Sequence, residues 1–241
     1  AQAEEICSAA DVPVQIQSRL AVNLVNGVVH ALRENDASEM IAGLHEQRTH
    51  DTSFYGHFTE NLVHDMPRQL IIVNYLQPVN TIRKIVVVVP EYAEYEGGFY
   101  RWVERLLRLA GEIGCRIEFH STDSTERMIY QYAQIHHKSV RTEFKLMESF
   151  TSLNSLHKEV HSDHLLVIIT ARPGTLSYKK SFARLPKLLQ EHVNDYNLML
   201  VYPDQFAAGN NTEVSFSAPH ASAYEMTPTS AWLSKWISKI G

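Results

Sequence analysis

An α/β fold built on a doubly wound parallel sheet is predicted by two adjacent stretches of the sequence and by the alternation of segments after them. Residues 82–90 contain four consecutive valines and end at Pro90, which is typical of a strand buried on both faces. In residues 99–110 the apolar side chains recur at helical spacing, with charged residues between them. A loop containing Gly97 and Gly98 separates the two stretches. Together they predict a strand–helix unit of an α/β domain.

Strands and helices continue to alternate after this unit. Right-handed crossovers between parallel strands place helices on both faces of the sheet, so this order predicts the doubly wound arrangement. The predicted strands are residues 115–120, 140–147, 164–170 and 198–202, and the predicted helices are residues 124–134, 150–160 and 182–193.

The residues before this unit are predicted to repeat its second half. Val14 matches Val140, Met40 matches Leu165 and Leu70 matches Leu198, at offsets of 126, 125 and 128 residues. The repeat is partial because the counterparts of the first two strands are missing, and we therefore expect a fragment of a longer protein cut inside a tandem repeat. Such a half-unit has to pack on the second unit, on a partner copy or on residues outside this sequence. The predicted elements are the end of a helix at 1–10, strands at 12–20, 39–44 and 69–76, a helix that Asn23 caps, and a helix at 57–65.

The resulting domain prediction has three parts. Residues 1–77 form the partial unit, residues 81–204 the complete unit, and residues 205–241 a tail. The tail contains a short amphipathic helix at 227–240, for which we expect docking on the chain's own domain or on a neighbouring copy.

Composition excludes several function classes. The net charge of −5 argues against nucleic acid as a partner, because phosphate binding requires a basic face. The two cysteines, Cys7 and Cys115, match no metal spacing and suit a reduced compartment. No nucleophile or metalloenzyme motif is present, so we predict no catalytic residues, no metal site and no enzyme activity. The carboxylates Glu91, Glu94 and Glu96 are expected to lie on a solvated loop.

The loop after the strand at 39–44 resembles the nucleotide loop of universal stress proteins. In that family Gly-x2-Gly-x9-Gly-Ser/Thr cradles ATP, because backbone amides before a helix bind anions. Gly43 and Gly56 match the first and third glycines, whereas Glu46 replaces the second glycine and His57 replaces the hydroxyl residue. The alternative is a loop inherited from a nucleotide-binding ancestor and now structural.

The second unit matches this nucleotide loop less well. Thr170 opens the corresponding loop, and Glu91 stands where the family has an aspartate after its first strand. The candidate nucleotide-binding residues are Gly43, Glu46, Gly56, His57, Glu91 and Thr170.

A wider set of features resembles the cytoplasmic C-terminal region of bacterial monovalent cation:proton antiporters (sodium/hydrogen exchangers). They are a helix face with Gly27, the Gly-Leu-His-x5-Asp-Thr-Ser-Phe-Tyr-Gly run at 43–56, a strand near Gln69, the linker at 78–85 and the loop at 89–99. The resemblance implies tandem universal-stress-protein-like units, a fold related to the adenine nucleotide alpha hydrolases. One complete unit is here preceded by a partial repeat.

This resemblance implies a non-catalytic regulatory domain on the cytoplasmic side of the inner membrane, itself a soluble fragment of an integral membrane protein. The implied partners are a membrane transport domain upstream in the same polypeptide, a second copy in a homodimer, and a small-molecule or nucleotide effector; no cofactor is implied. The alternatives are a soluble universal stress protein that binds an adenine nucleotide and, third, an enzyme of adenine-nucleotide chemistry.

Overall fold

The computed structural model describes residues 2–9, 11–44, 56–147, 159–192 and 194–206. The described residues form one sheet with α-helices on both faces. The strands are β1 (Glu39–Gly43), β2 (Gln69–Asn74), β3 (Lys84–Val88), β4 (Arg116–Ser121), β5 (Thr142–Leu146), β6 (His164–Ile169) and β7 (Asn197–Tyr202). The helices are α1 (Gln2–Ala9), α2 (Leu24–Glu34), α3 (Gly56–Asp65), α4 (Phe99–Ile113), α5 (Asp123–His136) and α6 (Leu185–His192).

The sheet has seven strands in the order β1-β2-β7-β6-β3-β4-β5. Every neighbouring pair is parallel except β2 and β7, which are antiparallel. The predicted α/β fold with a parallel, doubly wound sheet is therefore confirmed, and one antiparallel junction is added to it.

The valine-rich strand β3 lies at the centre of the second half, between β4 and β6. Its side chains alternate between two cores, with Val86 and Val88 in one and Ile85 and Val87 in the other. All four are at most 2% exposed, which explains why the strand is a continuous apolar run rather than an alternating one.

The antiparallel junction relates the two halves by local two-fold symmetry. Ile72 on β2 lies opposite Leu200 on β7, and these two residues are 128 positions apart, the same offset as Leu70 and Leu198. Because of this offset, the pair Leu70–Tyr202 is symmetry-related to the pair Asn74–Leu198, and both pairs occur. The partial unit thus packs on the complete unit by extending its sheet.

The strand register changes one residue match in the repeat. Met40 lies opposite Leu70 on β2, whereas Leu198 on β7 lies opposite Leu166. Leu166, rather than Leu165, is therefore the structural equivalent of Met40. The difference matters because a shift of one residue turns a side chain to the other face of the sheet, and Met40 and Leu166 contact the same core.

The strand predicted over residues 12–20 is wrong. These residues have no regular secondary structure, and Val12, Ile16 and Leu20 are all more than half exposed. A strand needs a neighbour that satisfies its backbone amides and carbonyls. In the second half that neighbour is β4, which holds β5; among the described residues before β1 no counterpart of β4 is present.

Most other predicted elements are confirmed within a few residues. Asn23 caps α2 by accepting a hydrogen bond from the amide of Asn26 at 3.1 Å. The helix predicted from residue 182 begins instead with a 3₁₀ turn at Lys180–Arg184, and α6 starts beside Pro186, which suits a first helical turn. The helix predicted at 150–160 lies largely, and the tail helix wholly, outside the described residues. No helix in the described part of the chain is long and apolar enough to cross a membrane.

Candidate functional site

The predicted nucleotide-binding residues lie at two opposite ends of the sheet, at or just beyond the ends of the strands. Gly43 is the last residue of β1, whereas Thr170 directly follows β6. Because β1 runs parallel to β2, and β2 antiparallel to β7 and β6, the carboxyl ends of β1 and β6 point in opposite directions. The candidate residues in the described part of the chain therefore lie at two opposite ends of the sheet, with Gly43, Gly56 and His57 in the first half and Glu91 and Thr170 in the second.

In the first half, two glycines flank the loop after β1. Gly56 begins α3 with a φ of +71°, a backbone conformation that favours glycine. Gly43 has no atom within 4 Å of the place where a Cβ would stand, so no close contact requires a glycine there. His57 is the second residue of α3. Glu46 and the side chain of His57 lie outside the described residues.

In the second half, the polar groups at the crevice are already bonded to the chain itself. The Thr170 hydroxyl donates to the carbonyl oxygen of Val201 at 2.9 Å. Glu91 accepts a hydrogen bond from Lys179 at 2.7 Å, and the Lys179 ammonium lies 5.0 Å from the ring centre of Tyr92. Neither Glu91 nor Thr170 presents an unengaged side chain to a ligand.

Glu94 is buried, so the prediction that all three loop acids are solvated is wrong at this residue. It is only 7% exposed and accepts hydrogen bonds from the hydroxyls of Ser124 and Thr125. Both hydroxyls lie in the first turn of α5, where the helix dipole stabilises a carboxylate. The burial of Glu94 thus results from a cluster of hydroxyls that the loop reaches only in the folded chain.

Glu96 occupies donors of the loop after β6. Its Oε1 accepts from the backbone amide of Ser177 at 2.7 Å and from the Ser177 hydroxyl at 2.8 Å. A backbone amide and a hydroxyl are the donors that a nucleotide phosphate uses in loops of this kind. In this half the chain's own Glu96 carboxylate therefore occupies these two donors.

The acidic loop is also conformationally constrained. Tyr92 adopts a φ of +67°, which is uncommon for a bulky residue. Conformations of this sort cost on the order of 1–3 kcal/mol and persist where the surroundings hold them. The bonds of Glu91, Glu94 and Glu96 supply that restraint.

A buried guanidinium joins the two halves beside this crevice. Arg172 donates to the carbonyl oxygens of Val63 at 3.1 Å and Arg68 at 2.9 Å, and also to that of Pro203. Burial lowers the pKa of Arg172 to about 10. Nearby, the buried carboxylate of Asp204 contacts Arg68 and Arg101. Motion of one half relative to the other has to break these contacts.

Two titratable clusters lie on the complete unit. Glu104 on α4 accepts from Tyr132 at 3.0 Å and pairs with His137 at 2.6 Å, both contributed by α5 or its C-terminal cap. Burial raises the pKa of Glu104, but the hydrogen bonds and charge of its partners outweigh burial and hold the pKa below its ordinary value. The second cluster is the buried pair Glu118–His120 on β4 with Lys84 on β3.

One short stretch of the sequence indicates hydrogen-bond donors for the buried Glu94. Residues 122–125 read Thr-Asp-Ser-Thr before a helix, and such hydroxyl-rich starts supply donors as well as caps. Glu96 and Arg172 have no comparable local signal, because the partners of their side chains lie 31 or more residues away in sequence.

Comparisons with known proteins identify a fold but no sequence family. No protein-family model and no curated protein sequence matches the chain. Several solved structures are similar, and the following three each have 12% sequence identity. The putative universal stress protein from Pseudomonas aeruginosa UCBPP-PA14 has a TM-score of 0.52, with 84% of this chain and 77% of that one covered. The universal stress protein from Archaeoglobus fulgidus DSM 4304 has a TM-score of 0.54, with 84% and 74% covered.

The third similar structure is the cytoplasmic domain of a prokaryotic cation chloride cotransporter. Its TM-score is 0.56, with 85% of this chain and 80% of that one covered. At such low identity these likenesses report architecture alone. The chain has a universal-stress-protein-like fold.

Proposed function

We propose that the chain is a non-catalytic regulatory domain of a monovalent cation/proton antiporter. The observation that carries the proposal is the second-half crevice, in which Glu96 occupies the backbone amide and the hydroxyl of Ser177 in the loop after β6. A domain that keeps this fold but fills its own site is suited to transmitting a conformational change rather than to turning over a nucleotide. The sequence resemblance to antiporter C-terminal regions supports the proposal. A transporter's cytoplasmic domain among similar structures shows that this architecture occurs in transporters.

In this proposal the domain lies on the cytoplasmic side of the inner membrane, and its partners are an upstream transport domain and a second copy of the chain. Regulation requires an effector that binds one conformation of the domain more tightly than another. The shared sheet and the Arg172 contacts couple the two halves, so an effector at one edge biases the position of the other half.

Transport measurements on the complete gene product test the proposal. We expect the tagged polypeptide in the membrane fraction, with Na⁺- or K⁺-dependent proton exchange in inverted vesicles. Removing these 241 residues should leave exchange in place but shift its dependence on pH or cation concentration. A polypeptide found entirely in the soluble fraction, or one whose exchange is identical after the deletion, contradicts the proposal.

The second candidate function is a soluble universal stress protein that binds an adenine nucleotide. It is favoured by Gly56, whose positive φ at the start of α3 suits a phosphate loop. Calorimetry with ATP and AMP distinguishes the two functions. We expect no heat of binding at roughly millimolar nucleotide from the wild-type chain, since the sequence has Glu46 at the position where the family's phosphate loop has a glycine. Binding by the wild type supports the second candidate instead.

A restored loop provides the matched experiment. The double variant Glu46→Gly, His57→Ser recreates the glycine and hydroxyl positions of the family's loop. We expect ATP affinity to rise at least tenfold over the wild type, because the charge and the bulk that oppose phosphate are removed. The same changes outside the loop, Glu112→Gly and the exposed His30→Ser, control for altered charge and stability. Unchanged affinity in the restored loop indicates that these two residues are not what prevents binding.

A further inference from the structure

A cleft lies at the amino ends of β3, β4, β5 and β6. It is at the end of these strands opposite to Glu91 and Thr170, and we call it the amino-edge cleft. Its volume is about 580 Å³. The charged and imidazole side chains that line this amino-edge cleft are Arg83, Lys84, Arg116, Arg141, Asp163 and His164. It thus contains four cationic side chains and one carboxylate, in a chain whose net charge is −5.

The cationic groups form a row across three neighbouring strands, with the imidazole of His164 at one end. Lys84 on β3 lies directly opposite Arg116 on β4 and His164 on β6. Arg141 stands beside Arg116, since the amide of Ile117 donates to the Arg141 carbonyl at 3.0 Å. Neighbouring strands are about 4.8 Å apart, so the cations of this row span about 10 Å. That width matches two or more phosphate groups rather than a single carboxylate.

Part of this positive charge is not neutralised by the chain. Lys84 is paired with the buried Glu118 at 3.0 Å, and Arg141 is paired with Glu143 at 3.0 Å. Arg83 is 84% exposed and reaches Asp163 only at 4.0 Å, which is a weak contact. The Arg116 side chain makes no ion pair or hydrogen bond with the described residues.

The pKa of His164, a neutral member of the cleft lining, is lowered chiefly by burial. The charges of Lys84 and Arg116 lower this pKa further, against the opposing effect of Asp163. The C-terminal end of α4, at Gly114, also borders the cleft. Its dipole contributes only about half a negative charge, which is less than the unneutralised arginines supply.

We propose that the amino-edge cleft binds an anion that carries two or more phosphate groups, either a free phosphorylated solute or a phospholipid head group. Guanidinium groups bind phosphate through paired N–H donors, which single ammonium groups do not provide. Gly111, Gly114 and Val140 form the uncharged wall of the cleft and leave room for the organic part of such a ligand. This site is separate from the loop at Gly43 and does not depend on the proposed function.

Titration of the 241-residue chain with pyrophosphate at low ionic strength tests the soluble source. We expect the double variant Arg116→Glu, Arg141→Glu to lower the affinity at least tenfold. The matched control is Arg108→Glu, Arg127→Glu, which makes the same change of charge on exposed faces of α4 and α5 and should lower the affinity less than twofold. The neutral variant Arg116→Gln, Arg141→Gln should give an intermediate loss, and circular dichroism confirms that each variant folds.

Flotation with vesicles that contain a phospholipid with two phosphate groups in its head group, compared with vesicles of equal charge made with a singly phosphorylated anionic phospholipid, tests the lipid source. Pyrophosphate binding that the Arg116/Arg141 variants abolish identifies a soluble phosphorylated ligand, and flotation alone with the same sensitivity identifies a lipid head group. The proposal is overturned if neither probe binds at roughly millimolar phosphate. It is equally overturned if the control variant weakens binding as much as the cleft variant, because the attraction is then non-specific.

Discussion

At the scale of single residues, several charged side chains owe their state to partners on another element. Glu104 lies on the polar side of α4 in sequence, where a solvated carboxylate is the ordinary expectation. Packing of α5 against α4 brings Tyr132 and His137 to it. The same holds for Asn197, whose side chain donates to the carbonyls of Ser162 and His164 and accepts from the amides after β2. The local sequence does not predict which polar side chains will be hydrogen-bonded in this way, because apolar periodicity carries no information about distant partners.

Glu104 leads to a pH prediction. Its pKa in the folded chain is lowered, so its carboxylate stabilises the fold above the ordinary glutamate pKa of about 4.3 and this contribution is lost as the pH falls below it. We expect Glu104→Gln to lower the free energy of unfolding by about 1 kcal/mol at neutral pH, allowing for partial exposure. The deficit should shrink towards zero as the pH drops from about 5 to 3.

Urea denaturation at a series of pH values measures this effect. Glu112→Gln, which removes a carboxylate from the exposed side of the same helix, controls for the loss of one negative charge. If the loss of unfolding free energy in Glu104→Gln stays constant across this pH range, the negative charge of Glu104 does not contribute to stability.

At the scale of elements, the local sequence pattern predicts which segments can form a strand or helix, and the neighbouring elements decide whether a predicted strand forms. The helical periodicity at residues 99–110 predicts α4, and the alternation at 140–147 predicts β5, both of which form. The same kind of alternation at 12–20 gives no strand, since no described strand lies beside it. Ile41 on β1 is 65% exposed, whereas Val167, its equivalent on β6, is fully buried. The difference arises because α4 and its neighbours cover β6 on that face, while β1 lies at the edge of the sheet.

The start of α4 provides a prediction at this scale. A Cβ on Gly98 would stand 2.5 Å from the backbone nitrogen of Asp204 and 2.6 Å from its oxygen, so the helix start or the end of β7 has to move. We expect Gly98→Ala to lower the free energy of unfolding by roughly 1–3 kcal/mol. Equilibrium denaturation measures the change.

Gly111→Ala is the matched control on the same helix. Its Cβ would meet only the Val140 side chain, at 3.4 Å, and alanine favours a helix interior by up to about 1 kcal/mol over glycine. The control is therefore expected to be neutral or stabilising. If Gly98→Ala proves as stable as Gly111→Ala, the close approach of α4 to Asp204 is not a constraint on the fold.

At the scale of the whole molecule, the antiparallel junction turns two unequal halves into one sheet. The described backbone is continuous in hydrogen bonding from β1 to β5, and the two cores on its faces include residues of both halves. Arg172 reinforces the junction by binding carbonyls on both sides of it. Cooperative unfolding of the two halves follows from this continuity.

Arg172→Met tests that coupling. Methionine keeps most of the apolar stem but leaves the carbonyls of Val63, Arg68 and Pro203 without their donor, which should cost about 2–4 kcal/mol. We expect a lower melting temperature and loss of amide hydrogen-exchange protection first in β2. Arg127→Met on the exposed face of α5 should change stability by less than about 0.5 kcal/mol. Equal melting temperatures for the two variants contradict a coupling role for Arg172.

The sequence by itself determined the type of most elements, the α/β class and the internal repeat, because apolar periodicity records which side of each element is buried. The continuous apolar run of β3 and the matched residues Leu70 and Leu198 were sufficient for that. Only the tertiary structure decided that β2 joins β7 antiparallel and that Glu94 is buried against α5. It also decided that Gly43 and Thr170, where the two candidate nucleotide loops begin, lie at opposite ends of the sheet. The tertiary structure also brought the cations of the amino-edge cleft together from separate strands. These features depend on contacts between residues distant in sequence, which the pattern of any single segment does not record.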